Sequence, residues 1–222
     1  MKHIRAYWIG LILALASAPL MALDLASLEA AQERAGIIDR VRNLLADDSA
    51  AVRLAVFEEV MKGEDSLLRS MAMEAALVSD DERLQTAGLR QLINSRDFLV
   101  VEVVEPTQAS QAQAYTYSLW RELTLTELKI NTANDQITGE FRAAAIADSG
   151  FVGQLDRGGL RFELKAYRTG PGKYNYTCAL VLNELSGIEL AGVLDCYIGA
   201  PHSEEDRADD NSASLPARIR LS

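Results

Sequence analysis

The stretch YNYTCALVLNELSGIELAGVLDCYI, Tyr174 to Ile198, holds the chain's only two cysteines in two apolar runs around Asn183 to Gly187. If Cys178 faces Cys196 across an antiparallel pair, facing positions sum to 374 and the turn centres on Gly187. Leu180 then faces Leu194, Leu182 faces Gly192 and Tyr176 faces Ile198, all on the cysteines' side, because strand side chains alternate between faces. Asn183, Asp195 and Tyr197 fall on the other side. One pairing of sulfurs thus yields an apolar face and a glycine turn together. The spacing predicts a β-hairpin stapled by a Cys178–Cys196 disulfide. A redox role would favour CxxC spacing or basic neighbours, and neither is present.

Period-two alternation extends outward from this hairpin over the whole C-terminal half. Turn signals at 131–135, 148–150, 156–159, 169–173, 183–187 and 199–214 separate seven strand-length runs, at 120–130, 136–147, 151–155, 160–168, 174–182, 188–198 and 216–221. An eighth comes from 98–104 or 115–119. Short strands joined by hairpin turns predict an antiparallel barrel or sandwich of about eight strands.

The N-terminal half has a different period. Ile37, Ile38, Val41, Leu44 and Leu45 recur at helical spacing, as do Val52, Val56 and Val60, then Leu68, Met71 and Ala75, then Leu84, Gly88 and Leu92. Asp47-Asp48-Ser49 and Gly63-Glu64-Asp65 punctuate them, and Ser79 followed three on by Glu82 reads as a capping box. Shifting DSAAVRLAVFEEVM (Asp48 to Met61) by 32 residues lays it on DDERLQTAGLRQLI (Asp80 to Ile93), matching Val52 with Leu84, Ala55 with Ala87 and Val60 with Leu92. The turn DDSAAVR followed by LAV resembles HEAT-type helical repeats, in which an Asp-bearing turn leads into Val-Arg on the next helix. The resemblance covers about 45–95 and implies a stacked array presenting a binding surface. A plain bundle of short antiparallel helices fits the same periodicity. The sequence-based architecture is therefore α+β. A leader occupies 1–22, a helical domain 23–106, a linker 107–114 (TQASQAQA) and a β domain 115–222. The apolar run at 97–106 reads equally as a strand or as a final buried helix.

The leader is MKHIRAYWIGLILALASAPLMA: basic at Lys2 and Arg5, apolar from Ala6 to Leu15, then small residues and Pro19. That order predicts export to the periplasm or beyond, where a disulfide can form. An uncleaved inner-membrane anchor is the alternative, since Ala6 to Leu23 is about long enough to span a bilayer. Without the leader, 20 basic side chains face 32 acidic ones, and this charge disfavours nucleic acid as a partner. With the leader's His3 gone, His202 is the only imidazole, so HExxH zinc sites are excluded. Any triad would have to run through His202, in an acidic Ser/Ala-rich loop.

Several side chains are candidates for function. Tyr115, Tyr117, Trp120 and Tyr176 could line a ligand cavity in the barrel, or else plug its ends. Met61, Met71 and Met73 could form an adaptable partner groove, or else fill the helical core. Glu204, Glu205, Asp206, Asp209 and Asp210 lack calcium-loop spacing. Asp156, Arg157 and Glu163 fit an exposed strand face. TGPGK (Thr169 to Lys173) lacks the first glycine of a phosphate loop, because Tyr167 stands there. No catalytic, cofactor or metal set emerges. The sequence points to an exported, non-enzymatic protein that binds an envelope protein through its helical surface. A carrier for a small apolar or sugar ligand is the second reading, and a carboxylate-based hydrolase the third.

Overall fold

The computed structural model describes residues 24–167, 175–198 and 212–221. The chain falls into two compact units, Met1–Asp39 and Arg40–Ser222, and the first is described from residue 24 and helical over 25–39. Helix α1 (Leu25–Leu45) ends within the second unit and is followed by α2 (Ala50–Lys62), α3 (Ser66–Leu77) and α4 (Glu82–Asn94). Strand β1 (Phe98–Val103) and helix α5 (Gln111–Trp120) come next. The meander β2 (Glu122–Asn131), β3 (Gln136–Ala143), β4 (Ile146–Asp156), β5 (Gly159–Tyr167), β6 (Asn175–Ser186), β7 (Glu189–Ile198) and β8 (Ser212–Arg220) completes the chain. All eight strands are antiparallel to their neighbours, and β8 returns to β1 to close a barrel. The α+β class holds, and the β half is a barrel rather than a sandwich.

The disulfide and its register are as the cysteine spacing predicts. Cys178 faces Cys196 and is bonded to it, with Leu180 on Leu194, Leu182 on Gly192 and Tyr176 on Ile198. Beyond Leu182 a bulge shifts the register, so the turn closes at Ser186–Glu189 with Gly187 at φ +59°. The bulge brings the backbone of Val181 and Leu182 against Gly192, where any side chain would collide.

The barrel interior is filled. Leu123, Leu125, Ile137, Phe141, Phe162, Leu164, Leu180, Leu182, Leu190, Leu194 and Leu215 are all fully buried. Large rings lie over glycines on the neighbouring strand, Phe151 opposite Gly139 and Phe162 opposite Gly153. A methyl at either glycine would strike the ring, so small and large residues alternate to fit the taper. Phe151 and Phe162 meet edge to face at 5.4 Å.

Helices close both ends. At one end α5 buries Leu119 and Trp120, and Trp120 stacks on Phe141 with ring centroids 5.6 Å apart. The Leu119 carbonyl accepts from Ala145 N in the β3–β4 turn. At the other end α4 adds Leu89, Leu92 and Ile93 to the barrel core. Arg90 donates to both Asp135 carboxylate oxygens at 2.9 Å in the β2–β3 turn, and Gly158 N of the β4–β5 turn donates to Thr86 Oγ1 at 3.0 Å. A second, smaller core of Leu45, Phe57, Ala72, Ala76 and Leu84 holds α2, α3 and α4 together, with Gly88 close against Ala76.

Three boundaries differ from the sequence reading. The run at 97–106 contributes β1, so the β structure begins inside the segment assigned to the helical domain. The segment 107–114 is not wholly irregular, because Gln111 starts α5. Ser110 and Gln113 form a reciprocal capping box there, which supplies helix-start hydrogen bonds where no apolar period signals a helix. The expected turn at 148–150 lies within β4, and the chain reverses between Ala143 and Ile146 instead. The cap of α4 is Asp81, accepting from Arg83 N, while Ser79 accepts from Asp81 N one step earlier.

Candidate binding surfaces

The four aromatic candidates gather at the α5 end. Trp120 is fully buried in the core, and its Nε1 has no hydrogen-bond partner among the described residues. Tyr176 is buried beneath Tyr115, their hydroxyls 3.1 Å apart. Tyr115 is exposed, and Tyr117 packs half-buried against the barrel core. Gln113 Nε2 donates to the Ser214 carbonyl, which ties α5 across the edge of β8. The arrangement is a plug.

The three methionines do not share a surface. Met61 packs against the small helical core and Met73 against the barrel core. Met71, two positions from Met73, points to another side of α3, as helical geometry requires. It lines a groove of about 360 Å³ between the last turn of α1 and α3, with Leu45, Ala75 and Val78 as apolar wall and Arg42 and Glu74 as polar members. Val78, at the C-terminal end of α3, is 63% exposed.

A second cleft went unseen in the sequence. It occupies about 390 Å³ on the outer face of the barrel, between β1 (Phe98, Leu99, Val100, Glu102) and β8 (Arg218, Arg220), with Arg96 at its mouth. Among the described residues β1 pairs with β2 from Phe98 to Glu102 and with β8 from Val101 to Val103. Phe98 and Val100 point outward and are 56% and 55% exposed. Arg218 is held by both oxygens of Glu102, at 2.7 and 3.0 Å, and by Glu189 at 3.6 Å. Hydrogen bonding from Arg218 holds the Glu102 carboxyl below its ordinary value; desolvation opposes this, and the charges of Arg218 and then Arg220 lower it further. The same pair raises Arg218. The signal was legible in principle. Alternation in FLVVEV makes every second residue outward-facing, and two of those three are large and apolar.

A third cleft, about 360 Å³, lies among Leu54, Glu58, Glu82, Arg83, Thr86, Ala87, Arg90 and Arg157, where charges of both signs alternate. Asp156 and Glu163 lie on the exposed face of the barrel. His202, the acids at 204–210, the TGPGK turn and the leader lie outside the described residues. Among the described residues no group of three or more His, Cys, Asp or Glu side chains is placed to hold a metal ion. Nor is any described helix long and apolar enough to cross a membrane. No known protein family, curated protein or solved structure is significantly similar to the chain.

Proposed function

We propose that this chain is an exported, non-enzymatic binding protein of the bacterial envelope that docks a protein partner on its helical layer. The groove beside Met71 carries the reading. Leu45, Met71, Ala75 and Val78 offer an apolar floor of helix-in-groove form, with Arg42 and Glu74 to orient the occupant by charge. The occupant that fits is an amphipathic helix presenting apolar side chains at helical spacing, with an acid near Arg42 and a base near Glu74. A flexible methionine suits such a site because it adapts to the anchor it receives.

Two further observations support the reading. Arg53, the arginine of the HEAT-like Val-Arg, donates to the Asp47 and Asp48 carbonyls and reaches Asp81 at 3.3 Å. It thereby joins the two turns that the 32-residue shift superposes, as a repeat array would require. The leader and the disulfide together favour export to the periplasm. The packed barrel interior speaks against the carrier alternative, since a ligand there would have to displace Phe141 or Phe162.

The test is affinity capture from periplasmic extract with the wild-type protein and with Met71→Glu/Val78→Glu as baits, read by mass spectrometry. A specific prey should fall at least tenfold with the variant, whose circular dichroism and thiol content stay unchanged. Equal recovery by both baits, or no prey above an unrelated bait, would overturn the proposal.

A further inference from the structure

We infer that the outer face of the barrel at β1 and β8 is a second docking site, one that takes an acidic amphipathic helix of a partner protein through side chains alone. The inference is independent of the helical groove. Its first support is an apolar bed. Phe98 and Val100 project outward from β1 at alternate positions, and each is more than half exposed. Thr124 and Thr126 face them from β2, and Arg218 and Arg220 border them on β8. Large apolar side chains side by side within a polar rim have the form of a contact surface. The second support is charge. The chain carries a net −10, yet Arg96, Arg218 and Arg220 share this cleft of about 390 Å³. Arg218 is occupied by Glu102 and Glu189. Glu189 is the register partner of Arg220, but its carboxylate turns to Arg218 instead. Arg220 is thereby left without a carboxylate among the described residues. The Arg96 guanidinium donates among them only to the Leu221 carbonyl, at 3.3 Å. Two guanidiniums beside an apolar bed, on an acidic protein, favour an occupant that brings carboxylates.

The third support is the closed barrel, which decides the form of the occupant. β1 is paired with β2 on one side and with β8 on the other, so recognition here runs through side chains. An extended segment laid on that face would leave its own backbone groups unpaired, whereas a helix satisfies them internally. The spacing agrees. Positions two apart on a strand lie about 6–7 Å from each other. Side chains at i and i+4 of a helix stand about 6 Å apart along its axis. One apolar i, i+4 pair therefore meets Val100 and Phe98 together. The flank of the helix toward β2 faces the uncharged Thr124 and Thr126, so its acids belong on the opposite flank, toward Arg220, and at the end nearest Arg96.

The probe is a fluorescein-labelled peptide of four Glu-Ala-Ala-Leu repeats, titrated with the disulfide-bonded protein and followed by anisotropy. Two control peptides accompany it, the Lys-Ala-Ala-Leu repeat and the acidic peptide with a central proline that breaks the helix. Three protein variants are compared with wild type: Arg96→Glu/Arg220→Glu, Phe98→Thr/Val100→Thr, which keeps β propensity while removing the apolar bed, and Met71→Glu/Val78→Glu in the helical groove. The acidic peptide should bind wild type at least tenfold tighter than either control, and more weakly as salt is raised. Arg96→Glu/Arg220→Glu should lose at least tenfold for the acidic peptide and gain the lysine repeat. Phe98→Thr/Val100→Thr should lose at least fivefold, and Met71→Glu/Val78→Glu should bind as wild type does. No binding at millimolar concentration would overturn the inference, as would wild-type affinity in either barrel variant. Equal binding of the proline peptide would overturn the helical form of the occupant. Loss of binding in Met71→Glu/Val78→Glu alone would place the peptide in the helical groove and leave the barrel face without a role.

Discussion

The two ends of the barrel are closed by helices of different origin, and the difference separates structure from function. The α5 end is closed from within: the helix is inserted between β1 and β2 and sinks Trp120 against Phe141. It also lays Tyr115 over Tyr176 and covers the edge of β8. The α4 end is closed from outside by a helix that precedes the barrel, seated by Leu89, Leu92 and Ile93 and fastened by Arg90–Asp135 and Gly158–Thr86. That helix also belongs to the smaller core shared with α2 and α3. The first arrangement buries Trp120 and Tyr176. The second leaves polar fastenings and exposed Phe98 and Val100.

The sharpest way to break this contrast is to remove the inner plug. Trp120→Ala should cost about 3–5 kcal/mol, since a fully buried ring leaves a cavity that eight paired strands cannot collapse. Trp120→Phe should cost far less. It keeps most of the ring against Phe141 and removes an indole N–H that has no partner, which offsets part of the lost volume. Urea unfolding of the two variants measures both effects. Equal losses would mean that the indole nitrogen is satisfied and that Trp120 is more than a plug.

Next in size is the staple. Cys178 and Cys196 lie 18 residues apart, on strands that lead toward the α5 end. Replacing both with Ala should destabilise by about 3 kcal/mol, chiefly by freeing the unfolded chain, and Ser should cost more because two buried positions become polar. Hydrogen exchange should rise first in β6 and β7, with α2 to α4 following only at global unfolding. The purified exported protein should show no free thiol until denatured with reductant. Titratable native thiols, or a loss that begins in the helices, would contradict the assignment.

How much of this was legible in the sequence depended on whether one residue type could fix geometry. Two cysteines set the register of a whole hairpin, down to Leu182 on Gly192, because a disulfide admits few strand pairings. Helical periods placed α2 to α4 for the same reason: Leu84, Gly88 and Leu92 can share a face only on a helix. The failures lie where local signals are weak or tertiary contacts decide. Ala143 to Ile146 turns without a turn residue, and α5 begins in a stretch of Gln and Ala whose only marker is the Ser110–Gln113 cap. The outward alternation of Phe98 and Val100 was legible, but the cleft they line was not. Arg96 and Arg220 are 124 positions apart, and what brings them to one cleft is barrel closure, a property of no local window. The methionines were grouped by type, but helix geometry sent Met71 and Met73 to different neighbours.

The smallest expected effect tests the seam between β1 and β8. Glu102 and Arg218 are register partners in that ladder, so their ion pair clips it. Both side chains are substantially exposed, so the contribution is modest and screened by salt. Its sign with pH is fixed all the same. The Glu102 carboxyl is held below its ordinary value by the Arg218 hydrogen bond, so the unfolded chain binds that proton more readily than the folded one. The contribution is therefore fully present above the ordinary carboxylate range and is lost as pH falls through the depressed value. Glu102→Gln should lower the urea midpoint slightly at neutral pH, and the difference from wild type should vanish in acid. Amide protection at Val101 to Val103, taken relative to intrinsic exchange at each pH, should fall in wild type over the same acid range, while the variant shows the lower protection throughout. The seam would then open by protonation at the α4 end while the α5 end stays shut. A difference between wild type and variant that persists unchanged into acid would place the effect in packing rather than charge, and would remove Glu102 as the clip.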